Sequence, residues 1–189
     1  MSAPLFLLAL LAGLFTFVSP SLASNWLKTG KETSRPYGHV DYCARHASDC
    51  RSRSAASALP PARLALLSKV NVSVNRAIKP VADKKAFGRK EYWTGRTRMG
   101  DCEDYALAKR AKLMSRGFKS SQLLLTMGHN GREAHTVLVV RTRDGDFVLD
   151  NLYDDVKPVR SARMSFRKIQ APEHGGRWLK ITGKTSKQP

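Results

Sequence analysis

The residue types best suited to chemistry fall in one short stretch, Gly100-Asp101-Cys102-Glu103-Asp104-Tyr105, and at two later positions, His135 and Asp150. Apolar residues Ala106, Leu107, Ala111, Leu113 and Met114 suit one buried face, which predicts a helix over 102–114, stopped at Gly117. Cys102 then sits in the first turn, where unpaired backbone amides favour a thiolate. A thiolate is the nucleophile that acyl transfer needs. It needs a base, and the base needs an orienting group; His135 and Asp150 are the candidates for these roles. Asp101, Glu103 and Asp104 oppose ionisation, because like charge raises a thiol pKa. Lys or Arg pairing could neutralise them, and so could a bound Ca²⁺, which prefers carboxylate oxygens. They are equally readable as ordinary acids of a first helical turn. Cys102 also has a plainer reading as a small buried hydrophobe, His135 as a core histidine, and Asp150 as a strand-end turn residue with Asn151.

The elements that must position these groups follow from periodicity. Leu64, Leu67, Val70, Val74 and Ile78 recur at three and four residues, predicting an amphipathic helix over 62–78 that ends at Pro80. Residues 123–127 read as a strand and 128–134 as a loop. Residues 135–141 and 147–149 read as two strands joined by a turn at Asp144-Gly145. With that turn Asp150 lies opposite Val139, on the same sheet face as His135 but four residues away, roughly 13 Å along the strand. Contact between them requires a shifted register, a bulge or strong twist. Residues 178–181 add a last strand, and 24–60 read as irregular. Helices followed by consecutive antiparallel strands make an α+β domain.

The chain has 189 residues, 33 basic against 15 acidic, for a net charge of +18. That length favours one domain. An apolar run over 5–18 is short for a membrane span, is broken by Pro20, and is followed by Ser21-Leu22-Ala23. This is the layout of a secretory signal peptide over 1–23, leaving 24–189 as one mature domain in the periplasm or secreted. The stretch before Leu5 has no Lys or Arg. Three cysteines fit export: Cys43 and Cys50 are close enough to pair in an oxidising compartment, with one thiol left over. The spacing Cys43, His46, Cys50 also admits zinc, though without an evident fourth ligand. His39, His46, His129 and His174 read as surface or loop residues.

Three blocks then carry a resemblance: Gly100-Asp101-Cys102-Glu103-Asp104-Tyr105-Ala106, Ala134-His135-Thr136-Val137-Leu138 and Val148-Leu149-Asp150-Asn151-Leu152. In this order, the chain from about Cys43 to Val159 resembles the bacterial transglutaminase-like cysteine peptidases, which include periplasmic adhesin-releasing proteases of LapG type. The resemblance implies a papain-like and transglutaminase-like α+β fold, with N-terminal helices packed on an antiparallel sheet. It implies Cys102 as nucleophile, His135 as general base and acid, and Asp150 as the residue orienting the imidazole. LapG-type members depend on calcium, and the matching ligands are Asp101, Glu103 and Asp104. The oxyanion would be met by the Cys102 backbone N–H and, as a suggested second donor, the Trp93 indole.

The leading expectation is therefore an exported cysteine peptidase acting on a periplasmic or cell-surface protein through a thioester. One alternative is a cationic binding module without catalysis, docking on an anionic envelope partner. Another is a transglutaminase-type amide acyltransferase. Nucleic acid is a poor match, since the basic residues are spread along the chain without a recognition motif.

Overall fold

Residues 25–54 and 58–183 are described by a computed structural model. The expected signal peptide over 1–23 lies outside the described residues. In chain order the elements are β1 (Thr29–Thr33), α1 (Tyr37–Arg45), α2 (Leu64–Ala77), β2 (Lys79–Pro80), α3 (Asp83–Phe87), β3 (Met99–Gly100) and α4 (Cys102–Met114). They are followed by β4 (Leu123–His129), β5 (Ala134–Thr142), β6 (Gly145–Leu149), β7 (Lys157–Pro158), β8 (Ser165–Ala171) and β9 (His174–Ile181). Seven strands form one antiparallel sheet in the order β1-β9-β8-β4-β5-β6-β7, while β2 and β3 make a short parallel pair.

The central strands β4 and β5 are apolar without alternation because both faces of the sheet are covered. On one face Leu67, Val70 and Val74 of α2 and Leu107 and Leu113 of α4 meet Leu125, Leu138, Val140 and Leu149. On the other, Leu27, Val159 and Met164 pack over Leu124, Val137, Val139 and Val148. Helix α4 lies between α2 and β5 and is buried on nearly every side, its charged residues Glu103, Asp104, Lys109 and Arg110 included. Among the described residues no helix is long and apolar enough to cross a membrane.

The α+β architecture agrees with the expectation from sequence, and α4 has the expected bounds. Two stretches differ. The segment expected to be irregular contains β1 and α1. β1 is an exposed edge strand without an apolar face, and the buried side of α1 is Gly38, His39, Tyr42 and Cys43, which carry little hydrophobic signal. Strand β8 was also not expected. The hairpin differs by one residue: its two-residue loop is Arg143-Asp144, and Gly145, at φ 133°, already pairs with Thr142.

Cys43 and Cys50 form a disulfide, which resolves the zinc alternative and leaves Cys102 as the free cysteine. His39 is no surface residue. It is 1% exposed, packed by Tyr42, Trp93 and Trp178, and its Nδ1 accepts the Trp178 indole N–H at 3.1 Å. Burial, with Arg35, Arg110 and Arg53 nearby, lowers it to about 3, so it is neutral.

Candidate active site

The start of α4 is fixed by what precedes it. β2 pairs Lys79 with Met99 and Pro80 with Gly100, which delivers the chain to Cys102. Tyr105 donates its hydroxyl to the Ile78 carbonyl at 2.6 Å, tying α4 to the end of α2. Gly100 is required by close approach: a Cβ there would lie 1.9 Å from Asp104 Oδ2. The Cys102 amide, first in the helix, has no intrahelical acceptor and remains a candidate oxyanion donor.

His135 and Asp150 meet because the hairpin turns one residue earlier than the dipeptide Asp144-Gly145 suggests. The register pairs Leu138 with Leu149. Continued by one pair, it sets Asp150 opposite Val137, two residues from His135 rather than four. Diagonal neighbours at that offset are roughly 7–8 Å apart at the backbone, within reach of long side chains. His135 Nε2 lies 2.8 Å from Asp150 Oδ1, with both residues buried. Burial alone would raise Asp150. The hydrogen bond and charge of His135, with the Leu152 amide and Lys109, outweigh it and hold the carboxyl below its ordinary value. Asp150 is therefore an acceptor, and Nε2 carries the proton it accepts. Nδ1 has no hydrogen-bond partner among the described residues.

The sulfur reaches the same strand. The last β5–β6 pair is Leu138 with Leu149, so Thr136 lies beyond the pairing, and its amide donates to Cys102 Sγ at 3.4 Å. Cys102 thus touches the residue next to His135. Its thiol hydrogen points elsewhere, to Glu103 Oε2 at 3.1 Å. Burial, then the charge and hydrogen bond of Glu103, push the thiol well above its ordinary pKa, and the Thr136 amide opposes this only in part. The expected helix-end stabilisation of a thiolate is outweighed.

The three acids of the motif divide between two clusters. Asp101, Cys102 and Glu103 form one; Asp101 and Asp104 form the other with Asp83, a residue that sequence reasoning missed. In the second cluster the donor atoms lie within 4.8 Å of one another. Each carboxylate spends one oxygen on structure. Asp83 Oδ2 accepts from the Tyr92 amide, Asp104 Oδ1 from the Thr94 amide at 2.7 Å, and Asp101 Oδ2 from the Asp83 amide at 3.3 Å. The other oxygens, Asp83 Oδ1, Asp101 Oδ1 and Asp104 Oδ2, are buried without a hydrogen-bond partner among the described residues. Burial and the neighbouring acids raise Asp104 to about 8, and raise Asp83. Three clustered carboxylates, each with an orphaned oxygen, are a donor set that suits a hard divalent cation. Glu103 is likewise raised, by burial and by Asp101.

Trp93 does not serve the sulfur. Its indole N–H donates to Glu91 Oε2 at 3.1 Å, and the ring is 1% exposed against His39. Two further contributors carried no motif. Asn75 Nδ2 donates to the carbonyls of Asp150 at 3.1 Å and Tyr153 at 3.2 Å. Asn71, one turn earlier and fully buried, donates to the Tyr153 and Asp154 carbonyls. Their i, i+4 spacing on α2 was the only available signal.

A free cysteine opening a helix, beside a His–Asp pair on an antiparallel sheet, is the arrangement of papain-like and transglutaminase-like cysteine enzymes. The chain belongs to the family of bacterial transglutaminase-like cysteine proteinases, whose model matches residues 29–186. Among solved structures it is similar to Legionella pneumophila LapG, at 27% identity and TM-score 0.50, over 60% of this chain and 66% of that one. The calcium-bound form of Legionella LapG matches equally in identity and TM-score, over 65% of this chain and 72% of that one, and the EGTA-treated form over 65% and 68%. The chain spans about two thirds of LapG's length. A search of curated proteins finds no match.

Proposed function

We propose that this protein is an exported cysteine peptidase that cleaves an amide bond in a periplasmic or cell-surface protein. The observation carrying this reading is the His135 Nε2–Asp150 Oδ1 hydrogen bond of 2.8 Å, on the strand whose next amide holds Cys102 Sγ. Cys102 gives up its proton to Nδ1 of His135 and attacks the carbonyl carbon. His135 then protonates the leaving amine, and water, activated by the same imidazole, hydrolyses the thioester. Asp150 keeps the proton on Nε2 and so keeps Nδ1 basic. The oxyanion takes its hydrogen bond from the Cys102 amide, which has no intrahelical acceptor.

We propose calcium as the cation of the acidic cluster, by similarity to calcium-bound LapG. Asp83, Asp101 and Asp104 would hold it, with Glu103 as the remaining carboxylate of the motif. Bound there, it would supply the positive charge that the thiol lacks beside Glu103 and Asp101. The net charge of +18 supports an acidic protein or envelope surface as the partner.

The test compares exported proteins of cells making the wild type with those making Cys102→Ala. A substrate changes size or location only with the wild type. Identical patterns, together with a Cys102 that iodoacetamide does not label below about pH 7 in calcium, would leave a binding module in place of an enzyme.

A further inference from the structure

The disulfide joins two unlike sulfurs. Cys43, on the inner side of α1, is 8% exposed, whereas Cys50 is only partly buried. His39, one turn before Cys43, sets its ring against both, with Nε2 3.8 Å from Cys43 Sγ and 4.0 Å from Cys50 Sγ. The neighbours of that ring fix its tautomer. The Trp178 indole can only donate, and it donates to Nδ1 at 3.1 Å, so Nδ1 holds a lone pair and the proton is on Nε2. Gln170 Nε2, 3.3 Å from His39 Nε2, is no acceptor. Its amide is held in that orientation by the Gly175 carbonyl, 2.7 Å from Nε2, and by the Leu125 amide, 3.1 Å from Oε1. Among the described residues the acceptors facing the Nε2–H are therefore the two sulfurs. Three arginines close on the Cys50 end of the bridge. Arg53 Nη2 donates to the Asp49 carbonyl at 3.2 Å, and Arg110 Nη1 pairs with Asp49 Oδ2 at 3.2 Å. Arg35 Nε donates to the Gly176 carbonyl at 2.7 Å, and a Cβ on Gly176 would lie 2.8 Å from Arg35 Nη2 and 3.0 Å from the Cys50 carbonyl. Asp49 is the one carboxylate paired with any of the three among the described residues.

We propose that the Cys43–Cys50 bridge is a thiol-exchange site that takes an anionic low-molecular-weight thiol, such as glutathione, as a mixed disulfide on Cys50. A bridge serving only to close a loop needs neither an N–H donor at its sulfurs nor an excess of positive charge beside it, and both ease the departure of a thiolate. The incoming thiolate attacks Cys50 Sγ, the more exposed sulfur. A new S–S bond forms as the Cys43–Cys50 bond breaks, and Cys43 Sγ leaves with the electron pair beside the His39 Nε2–H. A second thiolate attacks the reagent sulfur of the mixed disulfide and releases Cys50 as a thiolate. Two reagent thiols are thereby oxidised to their disulfide, the cystine is reduced by two electrons, and the two protons the reagent gave up end on Cys43 and Cys50. The arginines draw an anionic thiol to Cys50 and repel a cationic one. This chemistry is separate from that of Cys102.

The test uses the full chain carrying Cys102→Ala, so that Cys43 and Cys50 are its only cysteines. Opening of the bridge in excess glutathione is followed by acid quench and intact mass, the adduct is located by peptide mapping, and folding is monitored by circular dichroism. The bridge is expected to open while the chain stays folded, with glutathione on Cys50. Cysteamine, whose ammonium makes it cationic, is expected to react at least about tenfold more slowly at equal thiolate concentration. His39→Phe keeps a ring in place and loses the N–H, which is expected to slow opening at least about threefold. A bridge that opens only as fast as the chain unfolds overturns the proposal, and so does an adduct on Cys43 or a cysteamine rate equal to that of glutathione. A folded His39→Phe chain that opens at an unchanged rate overturns it as well. Should His39→Phe not fold, the comparison of the two thiols on the chain with His39 in place decides.

Discussion

Glu103 Oε2 accepts the thiol hydrogen of Cys102 at 3.1 Å, and Cys102 makes no hydrogen bond to His135 among the described residues. Burial, and next to it the adjacent acid, keep the nucleophile protonated. Glu103 is itself raised to about 9, so its charge opposes the thiolate only above that pH. In Glu103→Gln without calcium, alkylation of Cys102 by iodoacetamide at about pH 10 is expected to speed up about tenfold, the effect of one unit of thiol pKa. An unchanged or slower rate would show that burial alone sets the thiol.

Calcium should stabilise the fold through a residue far from the motif in sequence. At a concentration about 100-fold above its Kd, a ligand of the native state adds about 2.7 kcal/mol, which raises the melting temperature of a chain this size by roughly 5–10 °C. Differential scanning fluorimetry with calcium and with chelator measures it. Asp83→Asn is expected to abolish most of the response, because Asp83 contributes one of the three orphaned oxygens. A full response in that variant would move the cation to Asp101 and Glu103.

The same acids make a pH prediction. Burial raises Asp104 to about 8, above its unfolded value near 4, and raises Asp83 as well. A group whose folded pKa is raised contributes stability below its unfolded pKa and loses it as pH climbs through the folded one. In chelator, stability should therefore fall between about pH 4 and pH 8. Asp104→Asn should flatten that slope. A melting temperature that rises over this window in chelator would contradict the burial of these carboxyls.

The disulfide closes an eight-residue loop from Cys43 to Cys50. Loop-closure entropy puts its contribution at about 2–3 kcal/mol. Cys43→Ser with Cys50→Ser should lower stability in urea by that amount while leaving Cys102 as the labelled thiol. A larger loss would implicate His39, whose ring lies against Cys43 Sγ at 3.7 Å.

Asn75→Ala removes the donor to the Asp150, Tyr153 and Asp154 oxygens. A loss of about 1–3 kcal/mol is expected from the carbonyls left unpaired. Proteolytic activity should fall further than folding alone explains, since Asp150 loses its backbone anchor. Wild-type activity at permissive temperature would separate the loop from the chemistry.

Residue types and short spacings singled out Cys102, His135 and Asp150 as candidates, and the three-block resemblance gave them roles; the helix over 102–114 and the α+β class were legible too, because a helical apolar face and short apolar runs bounded by turns are local signals. They also placed His135 and Asp150 on one sheet face, since parity survives any shift of the hairpin by an even number of residues. Separation along the strand does not survive such a shift. Only the folded register, with its loop at Arg143-Asp144, brought the two within 2.8 Å. Asp83, 18 residues before Asp101, was illegible for the same reason. An isolated acid has no pattern of its own, and its role arises only when packing takes it out of water and sets it beside its partners.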